Sequence, residues 1–178
     1  MNAVPSLAFG NLGSRLEDVD QLMAAHAEMG GAERGRRFNV EGLNRAAIVM
    51  LCAHFEGYLE EVLSEAVQAL DSKLDASVLT ARFNQPTPKN VDNLFAFLGM
   101  SKPSQGVSWR KAGNDTVRSN LNSLVETRNK IAHGTTGLTV HKADVTRYRK
   151  YVVGFCERFD ALVRHQVHAL TGRYPWLA

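Results

Sequence analysis

The chain is 178 residues long, 44% hydrophobic and 22% charged. Those figures exclude a fibrous or compositionally disordered protein and leave enough length for one domain with a real core. The 21 basic residues stand against 18 acidic ones, for a formal net charge of +3. Any contact with nucleic acid must therefore come from a local patch, not from the global field.

The first residues, 1–13, read as a loose arm containing Pro5, Gly10 and Gly13. Ser14 can cap a first helix running to about Met29, with Leu16, Val19, Leu22 and Met23 on one face. Gly30 and Gly31 end it, and the stretch GAERGRRFN is a basic loop carrying Arg34, Arg36 and Arg37. From about Glu41 to Leu70 the apolar residues recur three or four apart, from Leu43 through Leu51, Phe55, Tyr58 and Leu59 to Val67. That wide stripe predicts a long, central bundle helix.

A short helix is expected around Ala76 to Arg82. NQPTPKN must then be loop, because Pro86 and Pro88 remove backbone donors and disfavour helix at the residues before them. A further short helix is expected over Val91 to Leu98, ended by Gly99. Ser101 to Asp115 reads as a long polar connection. Asp115 can cap a helix over Thr116 to Ala132, and Gly134 suits the left-handed position just past its end. A final long helix runs from about Ala143 to Leu170, with Val145, Tyr148, Val152, Phe155, Phe159, Leu162 and Val163 as its apolar face. No strand, repeat or low-complexity tract stands out. The expected architecture is all-α: residues 1–178 as one domain, a bundle of about four main helices with short helices inserted.

Cys52 and Cys156 are too few for a zinc finger or a disulfide framework and read as buried, reduced thiols. The chain opens on no signal peptide and contains no apolar run long enough to span a membrane, which predicts a cytoplasmic protein.

The informative stretch is ETRNKIAHG, Glu126 to Gly134. The stripe of its helix is Val117, Leu121, Leu124, Val125 and Ile131, and Arg128 falls on that stripe where a Leu is expected. A charge facing a core or an interface is costly unless paired. A salt bridge to a neighbouring helix, with Glu56 as a candidate partner, meets that demand without any catalysis. His133 lies about 140° around the helix from Arg128, whereas Asn129 and His133 share a face. Because the Arg side chain is long and the helix is ending, the three can converge on one small volume. Together they offer a fixed cation, an orienting amide and an imidazole that titrates near neutrality. Those parts suffice to cleave RNA without a metal or other cofactor: a base for the ribose 2′-hydroxyl, an acid for the leaving oxygen and a cation for the phosphate. One such His per chain is few for both proton transfers, and a symmetric homodimer would supply the second.

RNKIAH, Arg128 to His133, resembles the Arg-x4-His motif of the HEPN superfamily, including the polar residue directly after the Arg. Leu43 to Leu63, with FExY at Phe55, Glu56 and Tyr58, resembles the long helix of HEPN domains of the RiboL-PSP type. The similarity runs over roughly Leu43 to Leu170. It implies a dimerising helical domain and a metal-independent endoribonuclease that leaves a cyclic phosphate and a 5′-hydroxyl. The setting it implies is that of a toxin or phage-defence effector, with RNA as substrate and an antitoxin or defence-system partner. On that resemblance Arg128 stabilises the phosphate, His133 is acid or base, and Asn129 orients or activates. In relatives silenced by a nucleotidyltransferase antitoxin a Tyr stands two residues after the His. Here that position is Thr135, so the same silencing is not implied.

Other clusters weigh less. His165 and His168 are three apart but have no companion carboxylate or Cys, so a solvated face is expected instead of a metal site. His54 reads as an interior histidine. Arg34, Arg36 and Arg37 suit RNA phosphates or a plain solvated loop. Trp109, Arg110 and Lys111 suit a flipped base or simple packing. The rival readings are a non-catalytic RNA-binding or protein-interaction module braced by the polar cluster and, with less support, a small-molecule enzyme.

Overall fold

The computed structural model describes residues 4–29, 40–70 and 75–176. Among them run α1 (Leu7–Met29), α2 (Glu41–Ala69), α3 (Ala76–Thr80), α4 (Pro88–Phe95), α5 (Asn114–Ala132) and α6 (Lys142–Thr171), with 3-10 turns at Ala96–Leu98 and Pro103–Gly106. No strand occurs among the described residues; an isolated antiparallel bridge pairs Trp109 with Ala112. The chain is all-α, with four long helices and shorter ones inserted between the second and third of them. None of the helices is long and apolar enough to cross a membrane.

The central helix is α2, which packs against α1, α5 and α6. Its buried residues run from Asn44 through Ile48, Leu51, Phe55, Leu59 and Leu63 to Val67. Phe55 meets Phe155 edge-on at 5.6 Å, and Phe95 meets Phe159 at 4.7 Å, so α2, α4 and α6 share one aromatic core.

The loose arm ends sooner than expected, because α1 begins at Leu7 and Ser14 lies well inside it. The cap is Ser6, whose hydroxyl accepts from the Phe9 N–H at 3.0 Å. The Glu65 carboxylate of α2 accepts from the Leu7 and Ala8 N–H groups at 3.1 and 2.6 Å. Three N-terminal donors that no intrahelical carbonyl can satisfy thus find partners. Ser6 itself is tied to α6: its N–H donates to Asp160 Oδ2 at 3.1 Å and its hydroxyl donates to Oδ1. Burial of Ala8 and Leu12 carries the helix through Gly10 and Gly13. The basic loop with Arg34, Arg36 and Arg37 lies outside the described residues.

The polar connection before α5 is more built than its composition suggests. Ser104 is fully buried, its N–H donates to Asp92 at 2.7 Å, and Arg118 of α5 reaches Asp92 at 3.1 Å. The Asn114 amide donates to the carbonyls of Ser104 and Val107 at 2.7 and 3.0 Å. That clamp starts α5 at Asn114, with Gly113 and not Asp115 as its N-cap. Past the other end, Gly134 adopts φ +64°, with Gly134 N–H to Ile131 O at 3.0 Å and Thr135 N–H to Lys130 O at 2.9 Å. That is the Schellman closure expected of a glycine just past a helix. The connection to α6 is held on α2 by the Asn44 amide on the Val140 carbonyl at 2.9 Å and Arg45 on the Leu138 carbonyl at 3.0 Å.

Candidate functional site

Arg128 lies on the face of α5 that packs toward α2, continuing the row of Val117, Leu121 and Leu124. Its guanidinium stands 3.6 Å from Glu56 Oε2, with the two side chains 23% and 25% exposed. It also donates to the Asn84 carbonyl at 2.8 Å. The cation at an apolar position is thus paired within its own chain by the partner its register suggests. Burial raises the Glu56 carboxyl above its ordinary pKa, against the pull of Arg128 and with a further push from Glu60. Cys52, one turn before Glu56, is buried. Burial raises the thiol's pKa and the Arg128 contact opposes it, so the group is a neutral thiol and not a nucleophilic thiolate.

His133 is the C-cap residue of α5, and its N–H closes on the Asn129 carbonyl at 2.9 Å. The residue is exposed, and its imidazole makes no hydrogen bond or ion pair among the described residues. Asn129 is half-buried and its side-chain amide is likewise unengaged. The structure therefore brings Arg128 together with Glu56 and the Asn84 carbonyl, while the side chains of Asn129 and His133, at the same helix end, make no hydrogen bond or ion pair with that group among the described residues. A hollow of about 270 Å³, lined by residues including Arg82, Phe83, Asn90 and Asn93, opens one residue from the Asn84 carbonyl. Cys52 is legible only as the residue four before Glu56, on the same helical face. Asn84 contributes a backbone carbonyl, which no side-chain pattern can announce.

The FExY element resolves into three separate jobs. Phe55 is fully buried in the aromatic core. Glu56 turns outward to Arg128. The Tyr58 hydroxyl donates to the Cys156 carbonyl at 3.0 Å, beside the Asp160 carboxylate that anchors Ser6.

A family model, RiboL-PSP-HEPN, matches residues 11–165. The chain belongs to the RiboL-PSP-HEPN family. No curated protein and no solved structure matches it. HEPN domains are often nucleases that bind RNA and dimerise, so membership supports an RNA-related function.

The other sequence candidates of this HEPN chain fall into place around the bundle. His165 and His168 both pack on Tyr174, His168 stacking at 4.1 Å and His165 edge-on at 6.3 Å, and Arg164 covers the same ring at 3.8 Å. His54 is half-buried, 3.5 Å from Asp18, with its pKa lowered by burial. Trp109 packs on Tyr151 at 5.6 Å, under Arg158 at 4.9 Å. Both cysteines are free and buried. Among the described residues no three His, Cys, Asp or Glu side chains gather as a metal would need.

Proposed function

We propose that this HEPN chain, with residues 1–178 as one helical domain, is a dimeric, metal-independent endoribonuclease. It serves as a toxin or phage-defence effector in the cytoplasm, alongside an antitoxin or defence-system partner. The observation that carries the reading is the end of α5, where a half-buried, oriented Arg128 is followed five residues later by an exposed imidazole with no hydrogen bond or ion pair among the described residues. An unengaged imidazole at a helix terminus is free to move protons, and a guanidinium fixed by a carboxylate and a carbonyl is preorganised for a phosphate.

The chemistry follows from those groups. A His133 from one protomer removes the proton of the ribose 2′-hydroxyl, whose oxygen forms a bond to the adjacent phosphorus. The bond from phosphorus to the 5′-oxygen breaks, and the partner's His133 protonates that oxygen. Arg128 stabilises the charge on the crowded phosphate, and Asn129 orients the attacking group or the imidazole. The products are a cyclic phosphate and a 5′-hydroxyl.

The test is incubation with total RNA in excess chelator. Cleavage should persist, and Arg128→Ala and His133→Ala should each lower it on the order of 100- to 10,000-fold with an unchanged circular dichroism spectrum. A second reading has its own support in the Glu56–Arg128 pair: the polar cluster braces a non-catalytic RNA-binding or protein-interaction module. Under that reading wild-type protein leaves RNA intact, and Arg128→Ala lowers the melting temperature or the dimer affinity instead.

A further inference from the structure

The first half of α6 carries Lys142, Arg147, Arg149 and Lys150 against the single acid Asp144. Lys142 is the first residue of the helix, where the macrodipole is positive and a cation is disfavoured. The helix dipole gives Lys142 no stabilisation there. Arg149 is paired with Asp20 at 2.7 Å and Arg147 with Asp144 at 2.9 Å, whereas Lys142 and Lys150 have no ion pair among the described residues. Both unpaired lysines line one groove of about 770 Å³, together with Asn120 of α5 and Thr146, Arg147 and Tyr151 of α6. Tyr151 is half-buried, and its ring is backed by Trp109, which is itself held by Arg158. Asn120 brings α5 to the groove's edge, and α5 and α6 also meet where Thr127 Oγ1 and the Tyr148 hydroxyl lie 3.4 Å apart. Of the groove's lining, Lys142 starts α6 after the connection that leaves His133, and Asn120 lies in the second turn of α5.

We infer that the α5–α6 groove is a binding track for single-stranded RNA. Lys142, Lys150 and Arg147 meet phosphates, and Tyr151, stiffened by Trp109, offers a ring for a base. Uncompensated cations along a groove with an aromatic in its lining fit a single strand better than a duplex, whose bases are not available for stacking. The inference rests on the ribonuclease reading for its purpose, the delivery of a strand to the end of α5, but the groove's affinity can be measured without cleavage.

The probe is a fluorescein-labelled 2′-O-methyl oligouridylate, which cannot be cleaved through its 2′-oxygen, titrated with wild type and variants across a salt series. Lys142→Ala/Lys150→Ala should weaken binding on the order of ten-fold at 0.1 M salt and flatten the slope of log affinity against log salt by about 1.4. Lys89→Ala/Arg173→Ala removes the same net charge from exposed positions elsewhere and should do neither. Tyr151→Leu should weaken binding several-fold and leave the salt slope unchanged, as loss of stacking without loss of a phosphate contact requires. Equal losses in the groove and control pairs overturn the track, as does loss of binding to phosphatidylserine vesicles with RNA affinity intact. Cleavage of total RNA, assayed in parallel, separates the two proposals. A groove pair that binds like wild type while wild type cleaves sinks the track alone. Weakened binding by the groove pair with no cleavage by wild type sinks the nuclease reading and leaves the track standing.

Discussion

At the scale of single residues, two carboxyls set the terms on which this chain uses charge. Glu56 neutralises Arg128 across a gap of 3.6 Å, so on the proposed ribonuclease reading an incoming phosphate must compete with it. A partly exposed pair of this kind contributes under about 1 kcal/mol to stability. Glu56→Gln should therefore leave the melting temperature close to wild type and tighten the binding of a 2′-O-methyl RNA several-fold. An unchanged affinity with a clearly lowered melting temperature would show that the pair serves as a brace. Asp160 is the second carboxyl. Burial raises its pKa, although the hydrogen bonds from Ser6 oppose the shift. In the unfolded chain the same group titrates in the ordinary range, so between that range and the raised value the folded chain binds more protons. The stability contributed by Asp160 therefore rises as pH falls through that window and levels off below the unfolded pKa. Thermal melts of wild type and Asp160→Asn across this range should show the wild type gaining on the variant as the solution is acidified. A difference that stays flat or reverses contradicts the assignment.

At the scale of elements, the ends of helices show where sequence patterns succeed and where they stop. The Schellman close of α5 at Gly134 was legible because only a left-handed residue fits there and glycine takes that conformation without strain. The length and centrality of α2 were legible because its apolar spacing is unbroken. The start of α1 was not, since Pro5, Gly10 and Gly13 look like an arm, and Glu65, which takes its first donors, and Asp160, which anchors its cap Ser6, are far away in sequence. Local propensity was overridden by long-range hydrogen bonds and by burial of Ala8 and Leu12. Ser6→Ala tests this directly. It removes the cap and leaves the Asp160 carboxylate short of a buried donor, so urea unfolding should lose about 1–2 kcal/mol. A loss within a few tenths would mean that Glu65 alone holds the helix end. The candidate site divides along the same line. Arg128 stands out in the sequence because it breaks an apolar stripe, and Glu56 because it sits on the opposing helix. Cys52 and the Asn84 carbonyl do not, because one looks like any small core residue and the other is backbone.

At the scale of the whole molecule, the proposed ribonuclease chemistry calls for two copies. Moving a proton off the 2′-hydroxyl and another onto the 5′-oxygen calls for two groups near neutrality. The end of α5 supplies one exposed imidazole, with Glu56 occupied by Arg128 and Cys52 held as a neutral thiol. An isologous dimer about the ends of the two α5 helices brings the second imidazole at no cost in sequence. This makes a quantitative expectation for mixtures. If one composite site needs both His133 side chains, co-refolding wild type with an equal amount of His133→Ala subunits leaves about a quarter of the dimers competent, whereas independent monomeric sites leave about half of the chains competent. Activity in the mixture, normalised to the same total protein, should fall to the lower figure, and sedimentation velocity should show a dimer at the assay concentration. Activity that tracks the wild-type fraction linearly would place both proton transfers within one chain, and a second proton-transfer group would then have to be found in the hollow near Asn84.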